Sequence, residues 1–260
     1  MTTVSQTEPD ATTIEWVDTQ DPGKFATREF VAFDSQRDRK VTGAVWVPKN
    51  DAITDTVIAF GHGASGDRYQ APIPYIVHRL VKQGFLCVSM DGPVHGLREQ
   101  RGGGRPALGQ EFRKSDVVKQ MNLDWQVSIS EACKEFGFED EKFGYFGLSM
   151  GSIFGIPMLA DRIQRKKSVT VATLGLLGTS GAASQFGEGL LDAAGLIKCP
   201  ILFLMQLEDE LFPRDGYLRL FDQFASTSKT IHANPGLHPE IPALEVRQTV
   251  EFLSTGLQAK

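Results

Sequence analysis

The chain has 260 residues, 41% hydrophobic and 23% charged, enough apolar material for a full core and an ordinary balance for a soluble globular protein. A formal net charge of −5 supplies no general electrostatic drive toward nucleic acid or an anionic membrane, and the longest basic run, Arg165-Lys166-Lys167, reads as a solvated loop. No apolar stretch approaches the roughly 20 residues of a membrane span, and the polar, acidic N-terminus has neither the basic nor the apolar region of a secretory signal.

Taken in order, residues 1–20 read as a loosely ordered leader and 21–260 as a single domain. Residues 28–33 and 41–47 alternate apolar and polar as two strands joined by the polar turn 34–40. Thr56–Phe60 and Phe85–Met90 are short, continuous apolar runs, expected of strands buried on both faces. Between them residues 72–83 suit a helix stopped by Gly84, and residues 115–136 suit another, with Ser115 at its N-cap and Gly137 after its end. The segment 96–110 reads as a mobile loop that partly covers the site with Leu97 and Leu108; its Arg101–Arg105 stretch lacks the lysine and spacing of a P-loop. Further strands are expected at Val169–Leu177, Pro200–Leu207 and Lys229–Ala233, and helices at Asp215–Phe224 and Pro242–Leu257. Buried strands alternating with helices call for an α/β architecture, a mostly parallel central sheet covered on both faces.

Three cysteines, Cys87, Cys133 and Cys199, show no metal-ligand spacing. Buried free thiols in a reducing, cytoplasmic setting are expected, and no metal or organic cofactor is called for. A homo-oligomer is compatible with the sequence, but no heptad or exposed apolar stripe indicates one.

The most informative stretch is 142–155, KFGYFGLSMGSIFG, in which an apolar run leads into Gly147-Leu148-Ser149-Met150-Gly151 and then a helix-compatible segment. Strand, sharp turn and helix give the G-x-S-x-G pattern its meaning as a nucleophile elbow. Side chains two positions either side of the serine would collide with neighbouring backbone, and Gly147 and Gly151 remove them. The helix beginning near Met150 points free N–H groups at the reaction centre, so the Met150 N–H is a candidate oxyanion donor. The alternative is a glycine-rich turn whose serine merely caps the helix.

A nucleophile after a central strand, an acid after a later strand and a histidine after the last is the chain order of α/β-hydrolases. Over about residues 25–257 the sequence resembles that superfamily, and is most similar to its compact dienelactone-hydrolase-like and prolyl-oligopeptidase-like esterases. The resemblance implies an α/β-hydrolase fold with a minimal lid, residues 178–196, and no large cap domain. A serine stands where dienelactone hydrolases have cysteine, which argues against that reaction. In Gln206–Pro213 the family's acid position falls on Asp209, with Glu208 the nearest rival and Glu210 and Asp215 behind it. Of the five histidines, His238 lies in a turn-rich loop after the last strand, where the family has its base. The His62-Gly63-Ala64-Ser65-Gly66 turn resembles the family's second oxyanion loop, which assigns the donor to the Ala64 N–H, with Gly63 the alternative and His62 orienting the loop. Gly63, His95 and Phe186 are the candidate substrate contacts, and Phe186, Leu190 and Leu191 are expected to face inward from the lid. The implied activity is hydrolysis of a small or medium carboxylic ester through an acyl-serine. The same triad would also serve an amidase or peptidase, a thioesterase or an acyltransferase, and the fold also occurs in catalytically silent scaffolds.

Overall fold

In the apolar runs, odd and even residues point to opposite faces of a strand, so a run buried on both sides needs a layer of helices against each face. The computed structural model, which describes residues 12–19, 25–49, 51–99 and 105–259, has that architecture. Its strands are β1 (Thr12–Asp18), β2 (Phe25–Asp34), β3 (Arg39–Pro48), β4 (Thr56–Gly61), β5 (Leu86–Met90), β6 (Lys142–Leu148), β7 (Val171–Gly175), β8 (Ile201–Gln206) and β9 (Lys229–Asn234). Its helices are α1 (Ile73–Leu80), α2 (Arg105–Phe112), α3 (Val117–Phe136), α4 (Met150–Gln164), α5 (Gly187–Ala194), α6 (Arg214–Gln223) and α7 (Ala243–Gln258). The strands form one sheet in the order β1-β2-β3-β5-β4-β6-β7-β8-β9, antiparallel through β1, β2, β3 and β5 and parallel from β5 onward.

The alternation divides the core in two. Val57 and Ala59 of β4, Phe143 and Tyr145 of β6, and Phe203 of β8 join Trp125 and Ile129 of α3 and Ile153 and Phe154 of α4 in one layer. Ile58 and Phe60, Phe146 and Leu148, and Leu202 and Leu204 point the other way, onto Ile73, Ile76 and Leu80 of α1 and Leu253 and Leu257 of α7. At about 1.5–3 kcal/mol for each fully buried aliphatic or phenyl side chain, these two layers dominate the stability of the sheet.

The structure corrects the expectations in three places. Part of the expected leader is a strand: β1 pairs antiparallel with β2, and Trp16 packs edge-on against Phe136 and obliquely against Phe30. Its period-2 pattern, Ile14 and Trp16 toward the core with Glu15 and Val17 outward, is short and set in polar sequence, which masks it. Residues 1–11 and 20 lie outside the described residues. Much of the expected mobile loop is also ordered. Gly96–Arg98 is a 3-10 turn and residues 105–112 are helix α2, with Leu108 buried in the core and Leu97 exposed, while 100–104 lie outside the described residues. Finally, α3 starts at Val117 after Asp116, not at a Ser115 cap, and no side chain caps it.

Candidate active site

The chain runs from β4 through α1 to β5 on one side, then through α3 to β6 on the other. β4 therefore lies between β5 and β6, with Gly61 level with both Met90 and Gly147. This reversal opens a crevice at the carboxyl ends of β4 and β6, the place where parallel sheets bind ligands. The loops after β4, β6, β8 and β9 bring in the candidate triad and oxyanion residues, and His95 and Phe186 follow β5 and β7.

Ser149 has φ 56° and ψ −120°, a conformation that costs a non-glycine residue about 1–3 kcal/mol and persists only where neighbours enforce it. Here they do. The Ser149 N–H donates to the Gly175 carbonyl at 2.9 Å, while Ser152 Oγ lies 2.6 Å from the Gly147 carbonyl and accepts the Gly175 N–H at 2.9 Å. The Tyr145 hydroxyl donates to the Gly151 carbonyl at 2.6 Å from beneath the turn. A Cβ on Gly147 would lie 2.7 Å from the Gly151 carbonyl oxygen, and one on Gly151 would run into the Gly61 backbone. The two glycines are there because helix, strand and turn pass at backbone contact.

The structure brings Ser149, His238 and Asp209 into one hydrogen-bonded line: Ser149 Oγ is 2.9 Å from His238 Nε2, and His238 Nδ1 is 2.7 Å from Asp209 Oδ2. His238 is almost buried and packs its ring against Phe212. The Asp209 carboxylate is 1% exposed, so its partners must hold its charge. Burial works against ionisation, but hydrogen bonds from His238, Tyr217 and the Leu211 N–H prevail and hold Asp209 below the usual carboxylate range. Its Oδ1 accepts the Leu211 and Phe212 N–H groups at 2.8 and 3.0 Å, and the Tyr217 hydroxyl donates to Oδ2. The rival acids do other work. Glu208 accepts the Gly236 N–H, and Glu210 Oε2 accepts the His238 N–H at 2.9 Å, so both fasten the histidine loop by its backbone.

The Met150 N–H, first in α4, and the Ala64 N–H have no acceptor among the described residues. The Gly63 N–H is taken: it donates to Gln70 Oε1 at 2.7 Å, and Gln70 Nε2 reaches Ser65 Oγ at 2.8 Å, so one side chain holds the loop on both sides of Ala64. His62 Nε2 accepts the Gly92 N–H at 2.7 Å while Nδ1 faces the Gly63 carbonyl at 2.7 Å, which selects the neutral Nδ1-H tautomer. Burial drives the His62 pKa down to about 4, in keeping with that neutral role. His95 turns both ring nitrogens to backbone carbonyls, Pro93 at 2.7 Å and Ala64 at 3.1 Å. Both polar groups expected to meet substrate, the Gly63 N–H and the His95 ring, are thus engaged within the candidate oxyanion loop and its neighbour.

Phe186 is half-buried and meets Phe112 of α2 edge-to-face at 5.1 Å; Phe112 meets Phe154 of α4 at 5.9 Å. Leu190 and Leu191 of this short lid are buried. A cleft of ≈ 750 Å³ adjoins the candidate oxyanion loop, lined by Ala64 to Gln70 on one side and Val94 to Leu97 with Glu99 on the other. Burial raises the thiol pKa of all three cysteines, to about 11 at Cys133 and about 12 at Cys199, so none is a ready nucleophile. Among the described residues no group of three or more His, Cys, Asp or Glu could hold a metal ion, and no helix is long and apolar enough to cross a membrane.

No protein-family model and no curated protein matches the chain. Solved structures do. A PEG-bound cold-adapted esterase from an Arctic intertidal metagenomic library superposes with a TM-score of 0.75 at 27% identity, over 94% of this chain and 100% of that one. The chain has the α/β-hydrolase fold. Two acetyl xylan esterases of known structure are similar in fold alone. The acetyl xylan esterase of Paenibacillus sp. R4 has a TM-score of 0.71 at 15% identity, over 95% of this chain and 89% of that one. Acetyl xylan esterase 1 of Thermoanaerobacterium sp. JW/SL YS485 has 0.70 at 14%, over 95% and 88%.

Sequence reasoning missed the polar residues that support this candidate site from outside its motifs. Gln70 and Tyr217 carry no local signal, because their partners lie on other loops and only folding brings them close. Glu208 and Glu210 were visible only as rivals to Asp209.

Proposed function

We propose that this α/β-hydrolase is a serine esterase acting through an acyl-Ser149 intermediate. The observation that carries the proposal is the unbroken hydrogen-bonded line from Ser149 Oγ through His238 to a buried Asp209. In this reading Ser149 attacks the ester carbonyl as His238 Nε2 takes its proton, and the imidazolium is stabilised by Asp209. Charge develops on the carbonyl oxygen and is met by the N–H groups of Met150 and Ala64, each such donor being worth about 10²–10³ in rate. The imidazolium then protonates the departing alcohol. Water, deprotonated by the same histidine, cleaves the acyl-enzyme and returns the serine.

The substrate is a small-molecule carboxylic ester. In this reading the Phe186–Phe112–Phe154 ring cluster is assigned to the acyl side, and a lid built of residues 181–194 suits a small or medium acyl group. Gly63 and His95 border that substrate as holders of the oxyanion loop. The similarity at 27% identity to a cold-adapted esterase supports ester hydrolysis over the other reactions open to such a triad.

Intact-mass spectrometry after treatment with a fluorophosphonate tests the proposal. One adduct on the wild type, absent from Ser149→Ala, is expected, followed by turnover of short-chain esters in a panel graded by acyl length. A folded wild type that takes no adduct and cleaves none of the panel would overturn it.

A further inference from the structure

Asp209 Oδ2 receives two donors, His238 Nδ1–H at 2.7 Å and the Tyr217 hydroxyl from α6. Tyr217 is fully buried, and its ring is held edge-on by Phe203 and Phe212. Burial first, and then the bond to Asp209, push its phenol pKa well above the ordinary value, so it remains a neutral donor throughout the working range. The two donors compete for one oxygen. A hydrogen bond to a charged acceptor draws off electron density that a second donor would otherwise use.

We propose that Tyr217 is a positioning residue that moderates the Asp209–His238 bond by donating to the same carboxylate oxygen, and thereby sets how firmly the imidazolium is held. This inference rests on the triad reading above. Its geometry supplies a control, because Oδ1 is pinned separately by the Leu211 and Phe212 N–H groups, so removing the hydroxyl leaves the carboxylate in place. The other charged groups nearby are few. Glu210 and Glu208 bind the histidine loop by its backbone, Ser149 faces Nε2, and Arg214, Asp215 and Arg219 of α6 are exposed. None of them supplies a second donor to Oδ2.

The test is Tyr217→Phe, which keeps the ring and removes only the donor. Released from competition, Asp209 holds the imidazolium more tightly. The acid limb of the kcat/KM profile should move to higher pH by about half a unit to one unit, with a smaller change on the plateau. In the phosphonylated enzyme, the low-field proton resonance of His238 Nδ1–H should move further downfield. A uniform fall in activity with the limb and resonance unmoved would show Tyr217 to be mere packing and overturn the inference while leaving the triad intact. Failure of the wild type to form the Ser149 adduct would overturn both readings, so the two failures are distinct.

Discussion

Replacing Gly151 by alanine puts a methyl group where the end of β4 passes. The added Cβ would lie 2.7 Å from the Gly61 carbonyl carbon and closer still to its oxygen, and ordinary contact begins at 3.4 Å, so the shortfall is at least about 0.7 Å. The obstacle is backbone, and no flexible side chain can move aside. Strand and helix must separate by that distance or more, an overpacking strain costing about 1–3 kcal/mol. Unfolding should then shift down by roughly 2–12 °C for a chain of this size. The catalytic effect should be larger than the loss of stability suggests. The loop that begins after Gly61 carries the Ala64 N–H, and α4 begins with the Met150 N–H directly after Ser149, so the separation opens the proposed oxyanion site itself. A misplacement near 1 Å can cost about 10²-fold, so kcat should fall by about that factor with little change in KM. Steady-state kinetics beside thermal unfolding give the answer. Wild-type kcat in a variant of unchanged stability would refute the idea that the Gly61–Gly151 approach sets the geometry of the site.

Gln70→Ala removes the acceptor of the Gly63 N–H and the link to Ser65, freeing the loop on both sides of Ala64. A fall in kcat of about 10-fold with KM unchanged is expected, less than the loss of a whole oxyanion donor; unchanged kcat would remove Gln70 from the site. His62 gives a pH dependence. Burial holds it neutral in the folded protein down to about 4, against a usual 6.5, so as pH falls the unfolded chain takes up the proton first. Its contribution is complete above pH 6.5 and is lost progressively down to about 4, to a total of up to about 3 kcal/mol. Urea unfolding between pH 7 and 4.5 should show this loss in the wild type, and a flatter dependence in His62→Gln. Parallel slopes for the two proteins would refute the assignment.

How much of this was legible beforehand follows from how far apart the interacting groups lie in the chain. The proposed nucleophile elbow was readable because strand, strained turn and both glycines sit within ten consecutive residues, Lys142 to Gly151. The parallel sheet was readable because a strand buried on both faces carries a continuous apolar run, as residues 57–60 of β4 and 201–205 of β8 do. Strand β1 and helix α2 escaped because their signals are weak in sequence and become strong only once Trp16 finds Phe136 and Phe112 finds Phe186. Asp209 and His238 could be named from chain order and family likeness, but their contact spans 29 residues and the serine–histidine contact 89. Gln70, Tyr217, Glu208 and Glu210 belong to a further class. A polar side chain in a loop or helix carries no mark of its future partner; strand register and helix placement choose it. Hence the residues proposed to react, tied to backbone motifs, could be named from the chain, whereas the residues that hold them in place became visible only in the folded molecule.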